Sequence, residues 1–117
     1  MAKLLILAKL PDGVSSDEFN RWYDFHVQEI LTLPQFIAAE RFELHFVRSS
    51  SGEVPPFHYG LEFEIEGELA PAWEALESAV EEWMTFPDWM PKFSAAVWEC
   101  LPLANEGGAC QWLPTSC

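Results

Sequence analysis

Along this chain the spacing of hydrophobic positions alternates between the two-residue period of a strand and the 3.6-residue period of a helix. Lys3 to Lys9 is apolar on both sides, Leu4, Ile6 and Ala8 on one and Leu5 and Leu7 on the other, the pattern of a strand covered on both faces. Pro11-Asp12-Gly13 predicts a turn. Phe19, Trp22, Tyr23, His26, Val27 and Ile30 then recur at helical spacing, on one stripe. Ser15 and Glu18 have the spacing of a capping box at its start, and Pro34 ends the helix after about Leu31.

From Phe36 to Arg48 the chain alternates, Phe42, Leu44 and Phe46 against Arg41, Glu43 and His45. The loop SSSGEVPP follows. Phe57 to Ile65 alternates again, Phe57, Tyr59, Leu61, Phe63 and Ile65 against His58, Glu62 and Glu64, so the two segments are expected to pair as a hairpin. A second helix opens near Pro71, which suits a first turn, and carries Leu69, Trp73, Leu76, Val80 and Trp83 on its stripe. Beyond TFPDWMPKF, a loop dense in proline and aromatics, Phe93 to Leu101 predicts a last strand whose Ser94, Ala95 and Ala96 leave space inside. The order βαββαβ predicts an α+β fold, a four-stranded antiparallel sheet with two helices on one face, over residues 1–103. Residues 104–117 have no period and form an extension. Because the first strand is apolar on its outer side too, a second subunit's sheet is expected to cover the open face.

Composition sharpens this picture. The 117 residues suit one core, and 15% are aromatic, with six tryptophans, which points to a lined pocket or a large buried interface. Six basic against nineteen acidic residues give a net charge of −13, which repels phosphate backbones and anionic membranes, so neither nucleic acid nor membrane is an expected partner. The apolar run Leu4 to Ala8 is too short for a secretory core or a membrane span, and the expected location is the cytoplasm. Cys100, Cys110 and Cys117 form no C-x-x-C pair and are expected to be free thiols.

The candidate chemistry centres on His26, the one imidazole set into an apolar helical stripe. An unpaired polar group in a dry core costs about 1–3 kcal/mol, so His26 is either hydrogen-bonded or beside a polar cavity. Trp22 and Tyr23 precede it by four and three residues and Glu29 follows by three, all on adjacent turns. Burial lowers an imidazole pKa and a carboxylate raises it, leaving a group able to exchange protons near neutrality. A structural histidine bonded to a backbone carbonyl is the alternative. In the hairpin, a register with His45 opposite His58 sets Arg41 opposite Glu62, a favourable pair, and predicts a common polar face of Arg41, Glu43, His45, His58, Glu62 and Glu64. No tight ligand spacing supports a metal there. Trp83, Phe86, Trp89 and Trp98 are expected to cluster where they would stack on a planar substrate or fill the core. No Gly-rich phosphate loop, G-x-S-x-G elbow or C-x-x-C is present, which leaves nucleotide binding, serine hydrolysis and zinc-ribbon roles without support.

The residues Glu18-Phe19, Trp22-Tyr23, His26-Val27, Ile30-Leu31, Leu33-Pro34 and Phe36, followed by Ala39, Arg41 and Phe42, resemble the EthD-like members of the dimeric α+β barrel superfamily. The resemblance implies a ferredoxin-like fold that pairs through its sheets into a barrel, with a small-molecule cavity between sheet and helices in each subunit. It also implies a helix histidine facing that cavity. Superfamily activities are varied, so the fold does not name the reaction. The resulting expectation is a homodimeric enzyme without organic cofactor or metal, doing isomerisation, cyclisation or elimination on a small, hydrophobic, aromatic molecule. His26 is the expected base and Tyr23 its orienter or proton donor. Trp22, Arg41, His45, His58, Glu62, Trp83, Phe86, Trp89 and Trp98 are the expected substrate contacts. The alternatives are a cofactor-free monooxygenase, a non-catalytic binder of a hydrophobic metabolite, and a haem protein.

Overall fold

A computed structural model describes residues 2–103; the C-terminal extension, with Cys110 and Cys117, lies outside the described residues. The elements are β1 (Lys3–Ala8), α1 (Ser16–Leu31), β2 (Phe36–Glu43), β3 (Tyr59–Ile65), α2 (Leu69–Glu82) and β4 (Ala96–Cys100). Sheet order is β2-β3-β1-β4 with every neighbouring pair antiparallel, the ferredoxin-like βαββαβ arrangement. Each βαβ crossover skips one strand, so β3 fits between β2 and β1, and β1 between β3 and β4. Among the described residues no helix is long and apolar enough to cross a membrane.

Local chemistry sets the ends of α1. Ser15 is its N-cap, with Oγ accepting the Glu18 N–H at 3.2 Å, as the capping spacing predicts. The Glu18 carboxylate, however, accepts from Trp89 Nε1 at 2.9 Å. At the other end the Thr32 and Leu33 N–H groups close on the Glu29 and Ile30 carbonyls and Pro34 follows.

The core lies between the sheet and the helices. Leu4, Ile6 and Ala8 of β1, Leu61, Phe63 and Ile65 of β3, Phe19, Tyr23, Val27 and Ile30 of α1, and Ala72, Leu76, Ala79 and Val80 of α2 are all buried. Leu4 and Phe63 have no exposed surface. The other sides of β1 and β3 form the open face. There the register sets Leu5 against Trp98 and Leu7 against Ala96 and Gly60, with Phe42 also opposite Gly60. The doubly apolar pattern of β1 thus reflects helices on one side and an uncovered apolar sheet face on the other.

The hairpin register differs from the sequence expectation by one residue. Arg41 is opposite Leu61 and Glu40 is opposite Glu62, and a one-residue slip exchanges the faces of a strand. Arg41 and Glu43 therefore lie on the helix side with Tyr59 and Leu61. Phe42, Glu62 and Glu64 lie on the open side. On the helix side Arg41 reaches up to α1, Nη1 donating to Asp24 Oδ1 at 3.0 Å and Nη2 to Asn20 Oδ1 at 2.7 Å. Glu62 instead pairs with Lys3 of β1 at 3.0 Å. The strands are also shorter than the alternation suggests; beyond Glu43 and before Tyr59 only the Leu44 N–H to His58 carbonyl bond continues the β2–β3 pairing.

Candidate functional site

A cavity of about 300 Å³ sits between the sheet and the two helices. Ile6, Leu61 and Val97 form its floor, one from each of β1, β3 and β4. Trp73, Leu76 and Val80 of α2 form one wall and Trp22, Tyr23, His26 and Ile30 of α1 the other. The segment after α2 supplies the roof through Phe86, Met90 and Phe93, and the small Ser94 and Ala95 leave room below it. Phe93 holds φ at 58°, a left-handed conformation that is strained for a residue with a side chain and turns the roof back toward β4.

His26 is the ionisable heart of this cavity. Its Nδ1 is 3.1 Å from Glu29 Oε1, and both side chains are buried. A carboxylate only accepts, so Nδ1 carries the hydrogen and Nε2 is left with its lone pair as the nitrogen for the cavity. The ring is held in place: Trp22 stacks on it at 4.7 Å and 14°, and Phe86 meets it edge-on at 4.9 Å. Burial lowers the His26 pKa below the usual 6.5, and the hydrogen bond and charge of Glu29 partly offset this. The imidazole is thus neutral at pH 7, a ready proton acceptor.

Glu29 serves a second partner. Its Oε2 accepts the Thr85 N–H at 3.2 Å, and the Thr85 carbonyl accepts from Trp22 Nε1 at 3.0 Å. With the Trp89–Glu18 bond, three hydrogen bonds clasp the roof segment to α1. The carboxylate that orients the imidazole therefore also anchors the roof. Glu29 is three residues from His26 and seven from Trp22, so helical spacing alone puts it on the site's face. Its bond to Thr85, 56 residues away, has no local sequence signal.

Tyr23 lines the same cavity. Burial pushes its pKa up to about 12, against the opposing charge of Arg41, so it stays a neutral phenol. The Arg41 guanidinium lies over the Tyr23 ring at 5.3 Å and the Tyr59 ring at 5.8 Å. Arg41 does not line the main cavity; it borders a separate polar recess with Ser16, Asn20, Glu43 and Tyr59.

The remaining expected contacts divide. Phe86 is in the roof, and Trp89 backs Trp22 at 5.8 Å from outside the lining. Trp83 is the C-cap of α2 with φ at −145°, which swings it off the helical stripe, and it is 49% exposed. Trp98 is opposite Leu5 on the open face and 50% exposed, while its neighbour Val97 faces the cavity. His45 has a side chain 77% exposed and pairs with Glu43 at 3.4 Å. His58 Nδ1 accepts the Leu10 N–H at 2.9 Å, fastening the chain just after β1. Glu62 is on the open face with Lys3. The polar face expected across the hairpin is therefore split between two sides of the sheet. Among the described residues no three His, Cys, Asp or Glu side chains gather into a metal-sized cluster.

No family model and no curated protein matches this sequence. Among solved structures, that of At3g17210 from Arabidopsis thaliana is similar, with a TM-score of 0.59 and 13% identity, over 89% of this chain and 96% of that one. At that identity the likeness is one of fold: this chain shares a ferredoxin-like α+β architecture with the plant protein over nearly its whole length.

Proposed function

We propose that this protein is an enzyme that moves protons on a small apolar, aromatic substrate without an organic cofactor, with His26 Nε2 as the base. The observation that carries it is a buried carboxylate–imidazole pair at the edge of an apolar cavity. Glu29 holds Nδ1–H and stabilises the imidazolium that forms when Nε2 takes a proton, and the stacked Trp22 and edge-on Phe86 keep the ring aimed. Tyr23, neutral at pH 7, is the proton donor or orienter. A positioned base of this kind contributes about 10²–10⁴ in rate, suited to isomerisation, cyclisation or elimination. The EthD-like resemblance of the α1 residues accords with this reading, and the location we propose for the enzyme is the cytoplasm.

The test is proton exchange in D₂O. Deuterium uptake at the acidic C–H positions of 2-tetralone, followed by NMR, is expected to be accelerated by the wild-type protein and not by His26→Gln. Equal rates for the two would refute His26 as the base. Oxygen consumption with an electron-rich phenol would move the assignment to a cofactor-free monooxygenase, and saturable binding with neither exchange nor product would leave a binder.

The active form we propose is a homodimer joined through the open sheet face. Leu5, Leu7, Phe42, Leu44 and Trp98 form an apolar surface there, and Phe42, Leu44 and Trp98 are each more than a third exposed in the single chain. Surfaces of that kind mark interaction sites.

A further inference from the structure

We infer that the cavity selects an uncharged aromatic hydroxyl compound of one or two rings that donates its O–H to His26 Nε2, and rejects an aromatic carboxylate of the same size. The inference rests on the proposed role of His26 and adds the ligand's charge and hydrogen-bonding character. None of the lining residues is Lys, Arg, Asp or Glu, so a carboxylate entering the cavity would lose its hydration with no cation to replace it, a cost too large for apolar contacts to offset. The one group there able to become a cation, His26, has Nδ1–H committed to Glu29, which leaves Nε2 an acceptor. A carboxylate facing Nε2 sets acceptor against acceptor. A hydroxyl supplies the missing donor.

The hydroxyls of Tyr23 and Ser94 in the lining are neutral donors that bring no charge to replace an anion's hydration, and two neighbouring N–H donors are committed. Trp22 Nε1 is spent on the Thr85 carbonyl and the Thr85 N–H on Glu29. The net charge of −13 adds long-range repulsion of anions before they reach the entrance. Size bounds the ligand as well: 300 Å³ holds about ten waters' share of liquid volume, which suits a bicyclic ring with one small substituent. Trp22, Phe86 and Trp73 offer it aromatic surfaces.

Three probes of one ring system separate the terms: 1-naphthol, neutral and donating at pH 7; 1-methoxynaphthalene, neutral without a donor; and 1-naphthoate, an anion. Calorimetric titration of the full chain is expected to rank naphthol above methoxynaphthalene by about tenfold, the worth of one hydrogen bond, with naphthoate undetected at millimolar concentration. In His26→Phe the first two are expected to bind alike. Naphthoate binding as tightly as naphthol, methoxynaphthalene matching naphthol in the wild type, or no binding by any of the three overturns the inference; each of these is read on the wild-type protein, whatever the folding of the variant. Naphthol binding that depends on His26, without catalysed exchange of 2-tetralone, would sink the enzymatic role and leave the ligand class standing. Exchange that depends on His26 in a protein preferring naphthoate would do the reverse.

Discussion

Replacing Glu29 with Gln tests the arrangement on which the site depends, without requiring a substrate. The carboxylate holds His26 Nδ1 at 3.1 Å and the Thr85 N–H at 3.2 Å. A hydrogen bond to a charged group is worth about 1.5–3 kcal/mol and a neutral one about 0.5–1.5. Either form of the ring makes this bond to the carboxylate, and only the imidazolium adds charge–charge attraction, bounded at about 4 kcal/mol for charges 4 Å apart at an effective dielectric of 20; the gain of a charged over a neutral partner, roughly 1–1.5 kcal/mol, is the share expected here. Removing the charge is expected to lower the proton affinity of His26 about tenfold, adding to the depression that burial already imposes. The amide oxygen of Gln can keep the Thr85 N–H while its NH₂ donates to Nδ1, which shifts the imidazole to the Nε2–H tautomer; the bonds to a charged acceptor become neutral ones, and the fold loses about 1 kcal/mol. Long-range ¹H–¹⁵N NMR of the imidazole reads both quantities. Wild type is expected to show the Nδ1–H tautomer and a titration below 6.5, and Glu29→Gln a titration lower still, with urea unfolding measured alongside. An Nε2–H tautomer in the wild type, or an unchanged His26 titration in the variant, would refute the reasoning.

Further outcomes follow from the same contacts. His26 binds its proton less readily folded than unfolded, so below pH 6.5 the unfolded chain carries more protons and stability falls as pH falls toward the folded value; urea midpoints between pH 8 and 5.5 are expected to drop more steeply for the wild type than for His26→Gln. Phe63→Ala, at a position with no exposed surface, is expected to cost about 3–5 kcal/mol by chemical denaturation. Gly60→Ala is expected to gain about 0.5–1 kcal/mol, because a Cβ there meets Leu7, Leu44 and Phe42 side chains at 3.6–3.7 Å; a lower urea midpoint would contradict it. If the open face joins two copies, Leu7→Glu with Trp98→Glu is expected to halve the mass seen by light scattering with the circular dichroism of the fold retained.

Periodicity placed the α1 stripe and the buried side of β1 well, because each such residue meets the core at a fixed angular step. The same logic identified Leu5 and Leu7 as apolar on an outward side, and the sheet leaves them on its uncovered face. The hairpin resisted it. Phe42, Leu44 and Phe46 alternate as convincingly as Tyr59, Leu61 and Phe63, and alternation says which residues share a side but not which side meets the helices. Arg41 has its partners in Asn20 and Asp24 of α1, contacts to which a choice based on the cross-strand partner Glu62 had no access. Trp83 and Trp98 were misplaced for related reasons, one by the backbone turn that ends α2 and one by the parity of β4. His26 and Phe86 were legible because composition is unusual where they stand. Glu29 was visible as a neighbour, while its reach to Thr85 belongs to tertiary structure.

Thr85 binds both α1 partners through its main chain: its N–H meets Glu29 and its carbonyl meets Trp22, while its side chain points to solvent. Any residue but proline would make the same two bonds. The roof beyond Phe86, from Pro87 to Ala95, is therefore replaceable material on a mounting fixed by Thr85 and Phe86. Recutting residues 87–95 while keeping Phe86, whose edge holds the imidazole, would reshape the chamber for other molecules with the ring still aimed, which makes that stretch the natural place to seek altered selectivity in a library and leaves position 85 free to vary.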